Sequence, residues 1–320
     1  MAVTINEFYK QARSKLGAAV IADMLRQWEP MALLPFTGVD AMKITDARWQ
    51  TLPTVGTRRI NKGYSEGTGK TEQFADTLAI LGGDIKIDRV LRADKSAIED
   101  PLKTQTQMKT TAFWFAIANM LINGDKGVDP DEFEGLKKRV ANQPARMSIS
   151  LAQSTDSLKV KASAANMHLF LDGVDRLIKY TGANALLMNE ETKVGFTSVL
   201  RQTGQYVMAV DEYGIAREYY GKVPLIDVGL KADQSTEIIT NSEAAPDGGT
   251  DATSIYGVRF SDDNGLKVLY LNGTQPDPYL VVKESESGPW ELWRIDFPIG
   301  LHQKSRYAVG RLKDFKMAAS

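Results

Sequence analysis

The apolar pattern along the chain changes period several times and predicts unlike parts joined end to end. Residues 4–28 carry Ile5, Phe8, Ala12, Leu16, Ala19, Val20, Met24 and Trp28 at i, i+3 and i+4 spacing, the signature of an amphipathic helix. Thr4 with Glu7 can form a capping box, Pro30 stops the helix, and Pro35 keeps the following residues extended. Residues 42–90 read instead as two long strands, with Ile85, Ile87 and Arg89 alternating with other residues on the returning arm. The stretch between the arms, Gly56 to Thr71, is rich in glycine and charge. A long two-stranded ribbon has too little apolar surface to be stable alone in water, so it is expected to lie across another molecule.

The most strongly marked element runs from Ser96 to Gly124. Asp100-Pro101, or Ser96 with Glu99 one turn earlier, marks a helix start, and Asn123-Gly124 marks its end. Ile98, Leu102, Gln105, Met108, Ala112, Phe115, Ala116, Asn119 and Ile122 recur at helical spacing and predict one largely apolar face. Phe113, Trp114, Phe115, Ile117, Met120 and Leu121 make the last turns apolar nearly all round, so they are the expected core of this helix.

Downstream the pattern predicts a mixed α/β region. It has strands at 147–151, 185–188, 206–210, 216–219, 223–228, 254–260, 266–271 and 279–283, and helices over about 163–180 and from Asn189 or Glu190 to Thr203. Residues 231–253 are rich in Ser, Thr, Asp, Gly and Ala and read as a mobile surface loop. A closing strand begins at Trp290.

Composition narrows the chemistry. The 320 residues hold 39 basic and 40 acidic side chains, so net charge supplies no global pull toward nucleic acid or anionic membrane. The absence of cysteine excludes disulfides, a thiolate nucleophile and Cys-based zinc sites. No apolar run is long enough for a membrane span and no signal peptide pattern opens the chain, which predicts a soluble protein with no secretion step and no membrane partner. Gly67-Thr-Gly-Lys-Thr71 resembles part of a phosphate-binding loop, but Tyr64 occupies the position of the required first glycine. Asp125, Asp129 and Asp131 do not have calcium-loop spacing, and Asp129 or Asp131 suits helix capping better. His168, on an apolar helix face, reads as a packed histidine, and His302 has no partner in sequence. No metal, cofactor or catalytic group is expected. Arg58, Arg59 and Lys62, with Glu66, Lys70 and Glu72 nearby, form a mixed-charge cluster at the finger tip and are candidate inter-subunit contacts.

The order of parts resembles the major capsid proteins of tailed bacteriophages, with the Hong Kong 97-like capsid fold. Leu52-Pro-Thr-Val55, Ile60-Asn-Lys-Gly63 and Ile80-Leu-Gly-Gly-Asp84 resemble the arms of that family's extended loop. Ile122-Asn-Gly-Asp125 with Asp129 to Leu136 resembles the segment after its spine helix. Ala185 to Asn189, Val199 to Arg201 and Ser254 to Phe260 resemble its axial domain, and Trp293 to Leu301 its closing strand. The resemblance implies an α+β fold with an N-terminal arm (1–41) and an extended loop (42–88). A peripheral domain (89–129 and 285–306) would hold the spine helix, beside an axial domain (130–284 and 307–320). It implies a non-enzymatic subunit that self-assembles through hexamers and pentamers into an icosahedral head, located in the virion capsid after assembly in the host cytoplasm. Packaged double-stranded DNA would lie against the inner face without sequence specificity, and a portal and a decoration protein would be partners. Because the chain starts directly with the arm, a separate scaffolding protein is expected. An encapsulin-type compartment shell shares the fold and is the alternative; a nucleotide-dependent enzyme would rest on Gly69-Lys70-Thr71 alone.

Overall fold

The structure, a computed structural model, describes residues 30, 33–88, 90, 101–154, 156–210, 216–274, 279–282 and 289–318. The helix expected over 4–28 and the caps expected at Ser96 and Asp100 lie outside these residues. Fifteen strands are described: β1 (Phe36–Val39), β2 (Lys43–Thr51), β3 (Lys70–Thr77), β4 (Ala79–Asp88), β5 (Ser148–Ser150), β6 (Leu158–Lys159), β7 (Ala185–Met188), β8 (Val207–Val210), β9 (Ala216–Tyr220), β10 (Val223–Asp227), β11 (Thr253–Val258), β12 (Leu266–Leu271), β13 (Tyr279–Val282), β14 (Trp290–Gln303) and β15 (Val309–Lys316). The described α-helices are α1 (Pro101–Asn123), α2 (Leu136–Ala141), α3 (Ala164–Thr181) and α4 (Glu190–Thr203).

β14 is the axis of a five-stranded sheet. On one edge it pairs antiparallel with β4 over ten register positions, from Trp290↔Asp88 to Ile299↔Ala79. On the other edge it pairs in tandem with β13 and β12, and β1 adds parallel to β12. Pro298 falls in the gap between those two partners, so its missing N–H removes no bond to either. The second sheet has the order β5-β15-β11-β7-β10-β9-β8, with β6 also on β15. β2 and β3 pair only with each other.

Period-2 geometry makes the larger sheet a partition between two cores. In β7, Leu186 and Met188 face α3 and α4 and join Phe170, Val174, Leu177, Phe196, Val199 and Leu200. Ala185 and Leu187 face the other way and join α1 and the five-stranded sheet, including Phe113, Trp114, Leu121, Val268 and Phe297. This is why the short run at 185–188 is buried throughout. Gly257 and Gly310, opposite each other in register, let α3 approach: a Cβ on either would stand 2.8 Å from a Leu177 carbon. α3 is capped by Ser163, whose Oγ accepts from Asn166 N, and α4 by Asn189, whose Oδ1 accepts from Thr192 N.

Several expectations are corrected. The returning arm of the ribbon does not stay with the outgoing one: it breaks at Leu78, and residues 79–88 become β4 in the five-stranded sheet, so the ribbon is 43–77 rather than 42–88. The physical reason is burial, since Ile85 and Ile87 reach the core only against β14. β12 and β13, placed by the expected division with residues 130–284, pair with β14; β15 joins the other sheet. α1 turns its face differently over its first half: Thr106 and Thr110 are buried while Met108 and Ala112 face outward. Thr110 Oγ1 donates to the Thr106 carbonyl at 2.7 Å, which satisfies its hydroxyl inside the core. Phe113, Trp114, Ile117, Met120 and Leu121 are buried, whereas Phe115 is only half-buried and is not core. Residues 231–253 are anchored rather than free: Ile238, Ile239 and Ala252 are buried, and Glu243 accepts from Arg311 at 2.7 Å. His168 is exposed.

Two outcomes follow for the core. Trp114→Ala should lose about 3–5 kcal/mol, because Trp114 is buried and meets Phe113 edge to face at 5.0 Å; Phe115→Ala should lose clearly less. Chemical denaturation of the soluble subunit measures both, and equal losses would contradict the placement of α1. Deleting 241–252 should lower the melting temperature by removing Glu243 from Arg311; an unchanged melt would mean the anchoring is dispensable.

Candidate assembly site, a finger on a charged root

β2 and β3 form an isolated ribbon from the register Lys43↔Thr77 to Thr51↔Lys70, about 25–30 Å of paired strand. Beyond it every residue from 51 to 70 is exposed. Leu52, Val55, Ile60 and Tyr64 stand in solvent there, Val55 at 95% and Ile60 at 89%, and Trp49 of β2 is also exposed. Of the predicted contact residues, Arg58, Arg59, Lys62, Glu66 and Lys70 all belong to this exposed region. The Arg58 guanidinium lies over the Tyr64 ring at 5.3 Å. Glu72 differs: it accepts from Arg48 across the ribbon at 3.1 Å and from Arg306, so it braces the finger against its own subunit.

One face of the ribbon turns toward the body, and alternation places Ile44, Asp46 and Arg48 of β2 beside Glu72, Phe74 and Asp76 of β3. That face is mostly charged. Asp76, 9% exposed, is the centre of the root. Its Oδ1 accepts from Arg139 Nη2 at 2.8 Å and its Oδ2 lies 3.0 Å from His302 Nδ1. Arg139 also donates to the Glu134 carbonyl at 2.8 Å and the Leu301 carbonyl at 2.9 Å, so one guanidinium joins β3, β14 and the start of α2. Phe74 stacks on the His302 ring with centroids 5.6 Å apart. Lys126 donates to the Thr77 hydroxyl. Gly300 is required where the ribbon crosses β14, because a Cβ there would stand 3.0 Å from the Thr77 carbonyl and 2.9 Å from a Leu78 methyl.

Burial alone would raise the Asp76 carboxyl, but the hydrogen bond from His302 and the charge and hydrogen bond of Arg139 outweigh it and hold the group below its ordinary range. Hydrogen bonds from Arg48 and then Arg306 do the same for the half-exposed Glu72. Asp46, Asp76, Arg139 and His302 carry no local motif, and nothing in the linear pattern joins positions so far apart; only the charged residues on the inward period of β2 and β3 hinted that this face meets polar groups.

The other candidate chemistry resolves into turns and strand. Lys70 and Thr71 lie in β3 and no helix follows them, so the phosphate-loop geometry is absent. Asp125 accepts from Gly127 N at 2.8 Å and Lys138 Nζ at 3.0 Å, and Asp129 from Asp131 N at 3.0 Å; both close turns rather than cap a helix. Among the described residues no cluster of His, Asp or Glu could hold a metal ion, and no helix is long and apolar enough to cross a membrane.

The sequence model of the family described as major capsid protein GP7 matches residues 15–163, which take in the finger, its root on α2, and α1. No curated protein sequence matches the chain. The SrpI encapsulin complex of Synechococcus elongatus PCC 7942 superposes with a TM-score of 0.62 at 12% identity, covering 89% of this chain and 86% of that one. The capsid of a native GTA particle gives 0.61 at 16% identity, over 95% and 92% of the two chains. A protein of Mycobacterium phage Bobi gives 0.56 at 9% identity, over 90% and 89%. These likenesses establish the Hong Kong 97-like capsid fold. The family match, over a little under half of the chain, adds a likeness to major capsid proteins in the part that carries the finger and α1.

The root generates a stability prediction. Arg139→Met should cost about 3–5 kcal/mol by leaving a buried carboxylate without its cation, measured by denaturant unfolding of the subunit. Because the folded Asp76 carboxyl titrates below its unfolded value, its contribution is present above the unfolded value and is lost as pH falls through the folded one. Asp76→Asn should therefore flatten the acid limb of the stability curve; an unchanged acid limb would contradict this role.

Proposed function

We propose that this chain is the repeating subunit of a phage head that encloses double-stranded DNA, with each finger laid over a neighbouring subunit. The observation that carries this is the set of large apolar side chains, Trp49, Leu52, Val55, Ile60 and Tyr64, that a single subunit leaves in water on one ribbon. Large apolar side chains exposed together on one element mark an interaction site. Arg58, Arg59, Lys62, Glu66 and Lys70 would meet charged groups of the neighbour, while Glu72 serves the root. The arm (1–41), the finger, a peripheral unit around α1 and β14 and an axial unit around the eight-stranded sheet are the parts we assign. Hexamers and pentamers, a separate scaffolding protein, a portal, a decoration protein and assembly in the host cytoplasm before residence in the virion complete the reading. The role is structural, not catalytic.

The likeness to an encapsulin favours one second reading, a cellular compartment shell built on the same fold. The family match over residues 15–163 supports the phage reading instead. Negative-stain microscopy of particles, with their contents analysed, separates the two: nucleic acid and a portal-bearing vertex for a head, a loaded protein for a compartment.

The Arg58→Glu and Arg59→Glu pair tests the finger. Both positions are exposed, so subunit stability should change by no more than about 0.5 kcal/mol. Particle yield by sedimentation should fall, most at low salt where screening is least. A sharp drop in melting temperature would place the tip on its own subunit, and normal particle yield would remove these arginines from the interface.

A further inference from the structure

The root holds a titratable group that neither the core nor the shell contact explains. His302 lies next to the last residue of strand β14, 4% exposed, between two carboxylates from the two strands of the finger. Nδ1 is 3.0 Å from Asp76 Oδ2 and Nε2 is 3.6 Å from Asp46 Oδ2. A neutral imidazole has one N–H, so it can satisfy one of these carboxylates and must turn a lone pair toward the other. An imidazolium has two and can bridge both. The stacked Phe74 ring holds the imidazole plane, so protonation changes the bonding and not the placement of the ring.

We propose that His302 is a protonation latch: charged, it ties both strands of the finger to β14, and neutral, it holds only one. The charged groups around it set how far the latch opens. Asp46 and Arg48 face it from β2, and Glu72 and Asp76 from β3. Arg139 of α2 pairs with Asp76, Lys304 lies 3.9 Å from Asp46, and Arg306 holds Glu72. Lys126 reaches Thr77, and Lys267, opposite His302 in register, is engaged by Asp262 at 3.0 Å. Arg139 and Lys304 keep the two carboxylates partnered when His302 is neutral, so the finger loosens without detaching. Little apolar surface competes with these contacts, because the inward face of the ribbon supplies only Ile44 and Phe74 besides its charges. Histidine is the side chain that ordinarily exchanges its proton between about pH 5 and 8. The finger is then tightest in mildly acidic solution, looser above neutrality, and loose again once acid protonates the carboxylates themselves.

The latch takes its purpose from the assembly reading but belongs to the single subunit, so it is tested there without reference to particles. The full chain has only two histidines, His168 and His302, and a His168→Gln variant assigns the imidazole resonance. Hydrogen exchange of peptides spanning 43–77, corrected for intrinsic rates, is measured at pH 5.5 and 8.0 beside that titration. Root amides of β2 and β3 should be protected roughly three- to tenfold more at pH 5.5, the worth of one ordinary hydrogen bond. Asp46→Asn, on a half-exposed position that leaves the Asp76 contact in place, and His302→Gln should both abolish the difference. The proposal is overturned if His302 does not titrate in this interval, if it titrates with no change in protection, or if either variant keeps the wild-type response. Loss of particles with the pH response intact would count against the shell reading alone.

Discussion

Ten backbone pairs between β4 and β14 join residues 79–88 to residues 290–299, across more than two hundred positions of chain. Nearly everything else depends on that seam. It gives Ile85 and Ile87 a place to be buried, and it draws the returning ribbon strand away from its partner at Leu78. Because β4 is held, the ribbon before it must leave the body at a defined point, and that point is where β14 continues past β4 to Gly300 and His302. α1 then packs on the same sheet through Phe113, which also meets Phe297 of β14 at 6.2 Å. A strand with both edges and both faces engaged is a stiff foundation for an element that projects into solvent.

The finger and the body are joined by a different kind of interaction. The two cores bury their apolar side chains nearly completely, and their energetics are those of close packing. The root relies on Arg139, Asp76, His302, Asp46 and the Arg48–Glu72–Arg306 set, which are directional, charged and in part within reach of water. Apolar packing has no strong preference for one angle of approach, whereas a guanidinium held by three acceptors on three segments does. A polar root therefore specifies where the finger points while leaving its strength open to pH and salt. For a subunit that has to meet neighbours in a repeated geometry, angle matters more than raw cohesion.

The proposed shell contact would also account for a surface that a solitary protein would not carry. Trp49, Leu52, Val55, Ile60 and Tyr64 have no partner within the ribbon that could remove them from water, and two strands cannot provide one. Under the proposed reading, individual contacts between such fingers and neighbouring subunits need only be modest, because a closed shell repeats each of them many times and association responds to concentration.

Local pattern was enough to determine much of this protein. The helical period and the Asn-Gly stop defined α1, the run of apolar residues defined β7, and Asn189 marked the start of α4. Tyr64 in place of a glycine was enough to reject a phosphate loop, and the alternation on residues 42–77 was enough to predict a two-stranded ribbon. Tertiary structure decided what those parts pair with. It gave β4 to β14 instead of to the outgoing ribbon strand, buried Thr106 and Thr110 instead of Met108 and Ala112, and anchored the polar stretch at 231–253 through Glu243 and Arg311. It also placed His302, which has no partner in sequence, between two aspartates of the finger. The reason is that period, caps and turns are set by neighbours a few residues away, whereas the identity of a strand partner or an ion pair is set by which distant segments compete for the same buried edge.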